Sequence, residues 1–281
     1  MYAQLNNARL FYDTVGSHLA LGADRMEVRP TLIALHGGPG FDHAPMRPYF
    51  DRFADTHQVL YLDHRGNGRS TGAPDTWTLA QWGADVKALC DQLGIEKPVV
   101  FGVSFGGMVA MSYAAQFPDH PAKLILASTA ARLRLDETYR IMEEKGGSRA
   151  REVAKLAFEQ GDEGAMAEYL TACLPLYNPR PDPEGAVSRK RAIIRNDVAR
   201  HFFLGEMRTM DFRESLSRLQ CPTLVLAGAH DPITPIACSE EIAARSPASL
   251  VDLLTFADAG HGVHRDEPEG TETAMRAFLS R

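Results

Sequence analysis

The chain has 281 residues, of which 44% are hydrophobic and 23% charged, and its formal net charge is −6. That is enough apolar material for one large domain or a core with an insertion, and the acidic balance argues against a nucleic-acid partner. No run of about 18 apolar residues occurs, so no membrane-spanning segment is expected.

The local basic cluster Arg189, Lys190, Arg191 and Arg195 reads as a solvated helix face. The four cysteines, Cys90, Cys173, Cys221 and Cys238, form no C-x-x-C pair and suit free thiols in a reducing compartment. The first residues show neither a basic nor an apolar leader region, so a cytoplasmic location is the default expectation.

In chain order, residues 8–15 are rich in aromatic and β-branched residues and suit a strand near a sheet edge. Short continuous apolar runs follow at 31–35, 58–62, 98–103, 123–127, 222–227 and 250–255. Runs without alternation indicate strands covered on both faces, as in parallel sheets. Between them, 79–93 carries Leu79, Trp82, Val86, Leu89 and Leu93 at helical spacing, and 105–117 reads as a buried helix. Residues 240–245 and 270–279 fit outer helices. The alternation predicts an α/β fold with a doubly wound, mostly parallel sheet. From Thr129 to about Leu219 the rhythm breaks. Residues 140–159, 163–173 and 187–207 read as helices, and the Pro-rich 175–183 as a loop. We expect a core of residues 1–129 and 220–281, with a helical cap inserted at 130–219.

Three segments carry chemistry. Gly102-Val103-Ser104-Phe105-Gly106 follows an apolar strand and opens a helix, which places a serine on a tight turn with its hydroxyl exposed. A serine needs a base, and His261, between Gly260 and Gly262 after a late strand, is preferred over His264. The acid expected between them in chain order is Asp231, after the strand ending at Ala227, in preference to Asp258. An oxyanion hole needs two N–H donors: Phe105 supplies one, and Gly38 of His36-Gly37-Gly38-Pro39-Gly40 the other, with Gly37 its neighbouring alternative. No metal or organic cofactor is called for.

This order of motifs resembles the α/β-hydrolase superfamily over essentially the whole chain. His36–Gly40 is similar to the HGGPG signature of proline iminopeptidases, and Asp63–Ser70 resembles the D-x-R-G-x-G-x-S turn of many superfamily members, in which a carboxylate and a guanidinium brace a loop. The resemblance implies the helical cap and, in those peptidases, acidic cap residues that hold a free α-amino group. Glu206 lies in a segment suited to that role, although its surroundings do not match the family motif. The peptidases carry tryptophan after the serine, where this chain has Phe105.

The leading expectation is therefore a peptidase or amidase acting on a small-molecule or short peptide substrate, with an esterase or lactonase as alternative. Phe202, Phe203, Met207, Met210 and Phe212 are candidates for an apolar acyl pocket, and Gly37, Glu206 and Phe203 for substrate contacts. A non-catalytic receptor on the same fold is disfavoured by the complete set of catalytic residue types, and a dehalogenase by serine at position 104. Oligomeric state is not legible.

Overall fold

The computed structural model describes residues 1–5, 7–180 and 183–281, with the side chains of 183–186 left out. Among the described residues there are ten strands: β1 (Tyr2–Leu5), β2 (Ala8–Val15), β3 (Leu19–Leu21), β4 (Met26–Val28), β5 (Thr31–Leu35), β6 (Gln58–Leu62), β7 (Val99–Val103), β8 (Lys123–Ala127), β9 (Thr223–Gly228) and β10 (Val251–Phe256). Eight form one sheet in the order β1-β2-β6-β5-β7-β8-β9-β10. The pairs β1–β2 and β2–β6 are antiparallel, and the rest are parallel. Strands β5, β7 and β9 are buried along their whole length, which is why their sequences show no alternation. Strands β3 and β4 form a separate, exposed two-stranded ribbon.

The helices are α1 (Leu79–Leu93), α2 (Phe105–Gln116), α3 (Leu135–Gln160), α4 (Glu163–Ala172), α5 (Pro183–Lys190), α6 (Asn196–Leu204), α7 (Arg213–Leu216), α8 (Ile236–Arg245), α9 (Val263–Asp266) and α10 (Pro268–Leu279). Apolar side chains pack into two clusters. One holds Trp82, Phe105 and Val109 of α1 and α2 and continues into the helices that follow β8. The other holds Phe50, Phe53 and Phe101 with Val263 and Phe278. The protein is an α/β structure with a mostly parallel, doubly wound sheet. Between β8 and β9 the described residues contain helices and turns and no strand.

Three expectations change. Residues 140–159 are not one unbroken helix, because α3 is interrupted at Gly147, which has φ 75° and ψ −179°. Residues 187–207 are not one helix: α5 ends at Lys190 and α6 starts at Asn196. The Arg195 N–H donates instead to the Gly40 carbonyl (2.7 Å), a tertiary bond that competes with helix continuation. The 175–183 stretch is not all loop either, because a 3₁₀ turn spans Leu174–Tyr177; residues 181–182 lie outside the described set. All four cysteines are free and buried. Burial pushes the thiols up, to about 12 for Cys90 and Cys238 and about 11 for Cys173 and Cys221.

Candidate active site

Ser104 sits between the end of β7 and the start of α2 with φ 54° and ψ −119°. Few residues other than glycine tolerate positive φ, so surrounding contacts must enforce it. A Cβ on Gly106 would come within 2.2 Å of the Leu35 carbonyl oxygen, and one on Gly102 within 2.3 Å of the Gly106 carbonyl. Both flanks of the turn are therefore pressed too tightly for any side chain. The Ser104 N–H donates to Ala127 O (2.9 Å), and Thr129 Oγ1 donates to Ser104 O (2.7 Å), so the end of β8 and the turn after it fix the residue from behind.

Asp231 and His261 reach the same point from the loops after β9 and β10. His261 Nε2 lies 2.9 Å from Ser104 Oγ, and His261 Nδ1 lies 2.8 Å from Asp231 Oδ2. With Nδ1–H donating to the carboxylate, Nε2 is left to accept the serine proton. The carboxylate is 3% exposed and takes three further donors: Ile233 N (2.8 Å), Thr234 N (2.9 Å) and Thr234 Oγ1 (2.8 Å). These bonds compensate its burial and leave one oxygen face for the imidazole. Asp258 makes no such contact, and His264, although it reaches the same cavity, is buried against Tyr49 and Phe50 and bonds neither Ser104 nor Asp231.

Sequence reasoning did not anticipate Thr234, although Asp-Pro-Ile-Thr carries the turn signal of an Asp accepting from its second and third successors. It also missed what holds the His261 loop. The His261 N–H donates to Tyr177 O (2.8 Å), and Arg265 Nη2 donates to His261 O (2.6 Å). Asp266 accepts from Gly260 N (2.7 Å) and Asn178 Nδ2 (2.6 Å). The Tyr177 ring stands edge-on to the imidazole, with 5.0 Å between centroids. No local signal links positions 177 and 261.

The glycine loop after β5 lies against the serine. A Cβ on Gly37 would be 3.2 Å from Ser104 Cβ, and Gly38 adopts φ 60° in a turn closed by Phe41 N to Gly38 O (3.1 Å). Phe105 is the first residue of α2, so its N–H has no intrahelical acceptor. The Asp63–Ser70 turn braces this loop. Asn67 Oδ1 accepts from Gly40 N (2.6 Å), and Asp63 Oδ1 accepts from His43 Nδ1 (2.6 Å) and His43 N (3.1 Å). Arg69 ties Asp42 (2.9 Å), while Arg65 makes a two-pronged, fully buried pair with Asp85 of α1 (2.6 and 2.8 Å). Burial alone would raise the Asp63 carboxyl, but the His43 bond and the Arg69 N–H hold it below its usual range. Burial keeps His36 below the ordinary histidine range, and His64 and His264 well below it.

Above Ser104 a cavity of about 220 Å³ opens between the sheet and the helices that follow β8. Leu133, Leu135, Phe158, Met166, Phe203 and Met207 contribute much of its wall. Of the five apolar pocket candidates, Phe202, Phe203 and Met207 line it; Met210 and Phe212 do not, and pack into the core instead. Glu206 requires a correction. It does not line the cavity; its Oε2 accepts the Leu79 N–H at the first turn of α1 (2.5 Å). A carboxylate there satisfies an otherwise orphaned helix donor and meets the positive end of the helix dipole.

A strand-to-helix serine, an acid and a histidine after later strands, and a glycine loop beside them define the class of an α/β-hydrolase. A family model described as alpha/beta hydrolase fold matches residues 30–268, and the chain belongs to that family. It is 30% identical to the "Putative carbamate hydrolase RutD" of Caulobacter sp. strain K31, over 94% of each chain. It is 27% identical to the proline iminopeptidase of Lactiplantibacillus plantarum, over 98% of each. A thermophilic esterase from Thermogutta terrifontis, solved with malate bound, superposes with a TM-score of 0.73 at 26% identity, covering 97% of this chain and 93% of that one. The protein is a hydrolase. Among the described residues no helix is long and apolar enough to cross a membrane.

Proposed function

We propose that the protein is a serine hydrolase that cleaves a small ester or lactone with an apolar acyl group through an acyl-enzyme. The observation that carries this reading is the unbroken relay from Asp231 through His261 to Ser104 Oγ, opening into an apolar cavity. Ser104 attacks the carbonyl carbon while His261 Nε2 takes its proton. Asp231 holds the imidazole in the required tautomer and stabilises the cation formed. The N–H groups of Gly38 and Phe105 receive the oxyanion. His261 then protonates the leaving oxygen, and water, activated by the same imidazole, releases the acyl group. The helices between β8 and β9 act as a cap whose underside seats the acyl chain. A cavity of about 220 Å³ is smaller than the usual ligand pocket of roughly 300–1,000 Å³ and suits a short chain.

Ester or lactone cleavage is placed ahead of the aminopeptidase expectation because a free α-ammonium needs a carboxylate. Among the described residues the carboxylate on the cavity wall is Asp42, which Arg69 and the Ala44 N–H already engage. The test is turnover of p-nitrophenyl butanoate and of a prolyl anilide by wild type and Ser104→Ala, with labelling by an alkyl phosphonate. Wild type should cleave the ester and be labelled at Ser104, and the variant should lose both. Cleavage of the anilide in preference to the ester would return the amide reading, and labelling elsewhere would remove the mechanism.

A further inference from the structure

Two phenols stand among the polar residues of the mainly apolar cavity wall, which also include Arg189, Asn196 and Arg265. Tyr169 of α4 and Tyr177 of the 3₁₀ turn both line it, and their hydroxyls are 2.8 Å apart. Tyr169 packs on Phe158 of the same wall, with 5.2 Å between ring centroids. Burial raises both phenols above their ordinary range, so both keep their protons at neutral pH. Two hydroxyls bring two protons, and their mutual bond consumes one. Among the described residues neither hydroxyl makes any other hydrogen bond. The second proton therefore has no acceptor on the protein and is available to a molecule seated in the cavity. By contrast, the hydroxyl of Thr138, on the same wall, donates to Ile233 O (3.0 Å) and offers nothing.

We infer that the Tyr169–Tyr177 pair is a specificity device that donates one hydrogen bond to an oxygen on the acyl arm. The enzyme thereby selects acyl groups bearing a carbonyl or ether oxygen over plain hydrocarbon. This rests on the reading of the cavity as the acyl seat. The oxygen belongs within a few bonds of the reacting carbonyl, since the Tyr177 ring lies edge-on to the His261 imidazole. The ring's place is set through the main chain. Tyr177 O accepts the His261 N–H, and a Cβ on Gly260 would come within 2.0 Å of that same oxygen. Removing the phenolic oxygen therefore leaves the grip on the histidine loop in place.

The experiment compares kcat/KM for matched p-nitrophenyl esters: pentanoate against 4-oxopentanoate and against 3-methoxypropanoate. Each ratio is measured in wild type, Tyr169→Phe, Tyr177→Phe and the double variant. A ratio taken within one preparation cancels its active fraction, so partial unfolding does not mimic the effect. Comparing proteins cancels the intrinsic reactivity of each ester. In wild type the preference for at least one oxygen-bearing ester should exceed that of the double variant by about three- to tenfold. Equal ratios in wild type and double variant for both pairs, with turnover that Ser104→Ala abolishes, would overturn the inference alone. Turnover that survives Ser104→Ala would overturn the serine mechanism and this inference with it.

Discussion

The two sides of the site are built from different materials. On the sheet side, polar bonds fix nearly every reacting group: Asp231 has four donors, and the glycine loop is tied through Asn67 and Asp63. On the helical side the wall is mainly hydrocarbon, and a few polar bonds join it to the sheet: Glu206 to Leu79, Arg195 to Gly40, and Tyr177 to His261. Directional bonds hold geometry, whereas dispersion and area burial tolerate change in shape. On the mechanism proposed above, the chemistry belongs to the side fixed by directional bonds and substrate choice to the apolar side.

That contrast can be broken by experiment. The largest effect is expected from Asp231→Asn, which disturbs the imidazole tautomer and should cut kcat by roughly 10³–10⁴-fold. Stopped-flow or steady-state rates on several esters would check that the loss is equal for all. A loss that varied with the acyl chain would mean the two sides are not separable. Acid should also strike the sheet side. His36, His64 and His264 are held below 6.5 by burial. As pH falls through about 6.5 the unfolded chain takes up protons that the folded chain refuses, so stability is full above that value and declines below it. Thermal melts from pH 8 to 5 should show a falling Tm, and His64→Asn should flatten the slope.

On the helical side, Phe158→Ala should lower kcat/KM by roughly tenfold for a pentanoyl ester and much less for an acetyl ester, read from parallel progress curves. A uniform loss across chain lengths would sharpen the comparison against us, because it would give Phe158 a role in the chemistry. The smallest effect is expected from Glu206→Ala, which orphans the Leu79 N–H. It should cost about 1 kcal/mol, a few degrees in Tm, with the ester preference kept.

What could be read from residues alone follows the same division. β5, β7 and β9 were legible as unbroken apolar runs because both faces are covered. Ser104, Asp231 and His261 were legible because strand ends and glycine turns mark them locally. β1, with its exposed and buried residues alternating over four positions, was too short to register, and the β3–β4 ribbon carries no core to announce it. Glu206 was misread because its partner, Leu79, is 127 positions away. The Tyr177 clasp on His261 joins positions 84 apart through a backbone carbonyl that any residue type would present. Tertiary bonds of this kind leave no trace in composition or periodicity.

The buried cysteines bear on how the enzyme can be handled. With thiol pKa values of about 11 to 12, roughly one sulfur in ten thousand or fewer is a thiolate near pH 7, and the thiolate is the reactive form. Alkylating agents should therefore pass the native chain by. An electrophilic warhead aimed at an activated alcohol therefore meets little sulfur competition inside the fold itself.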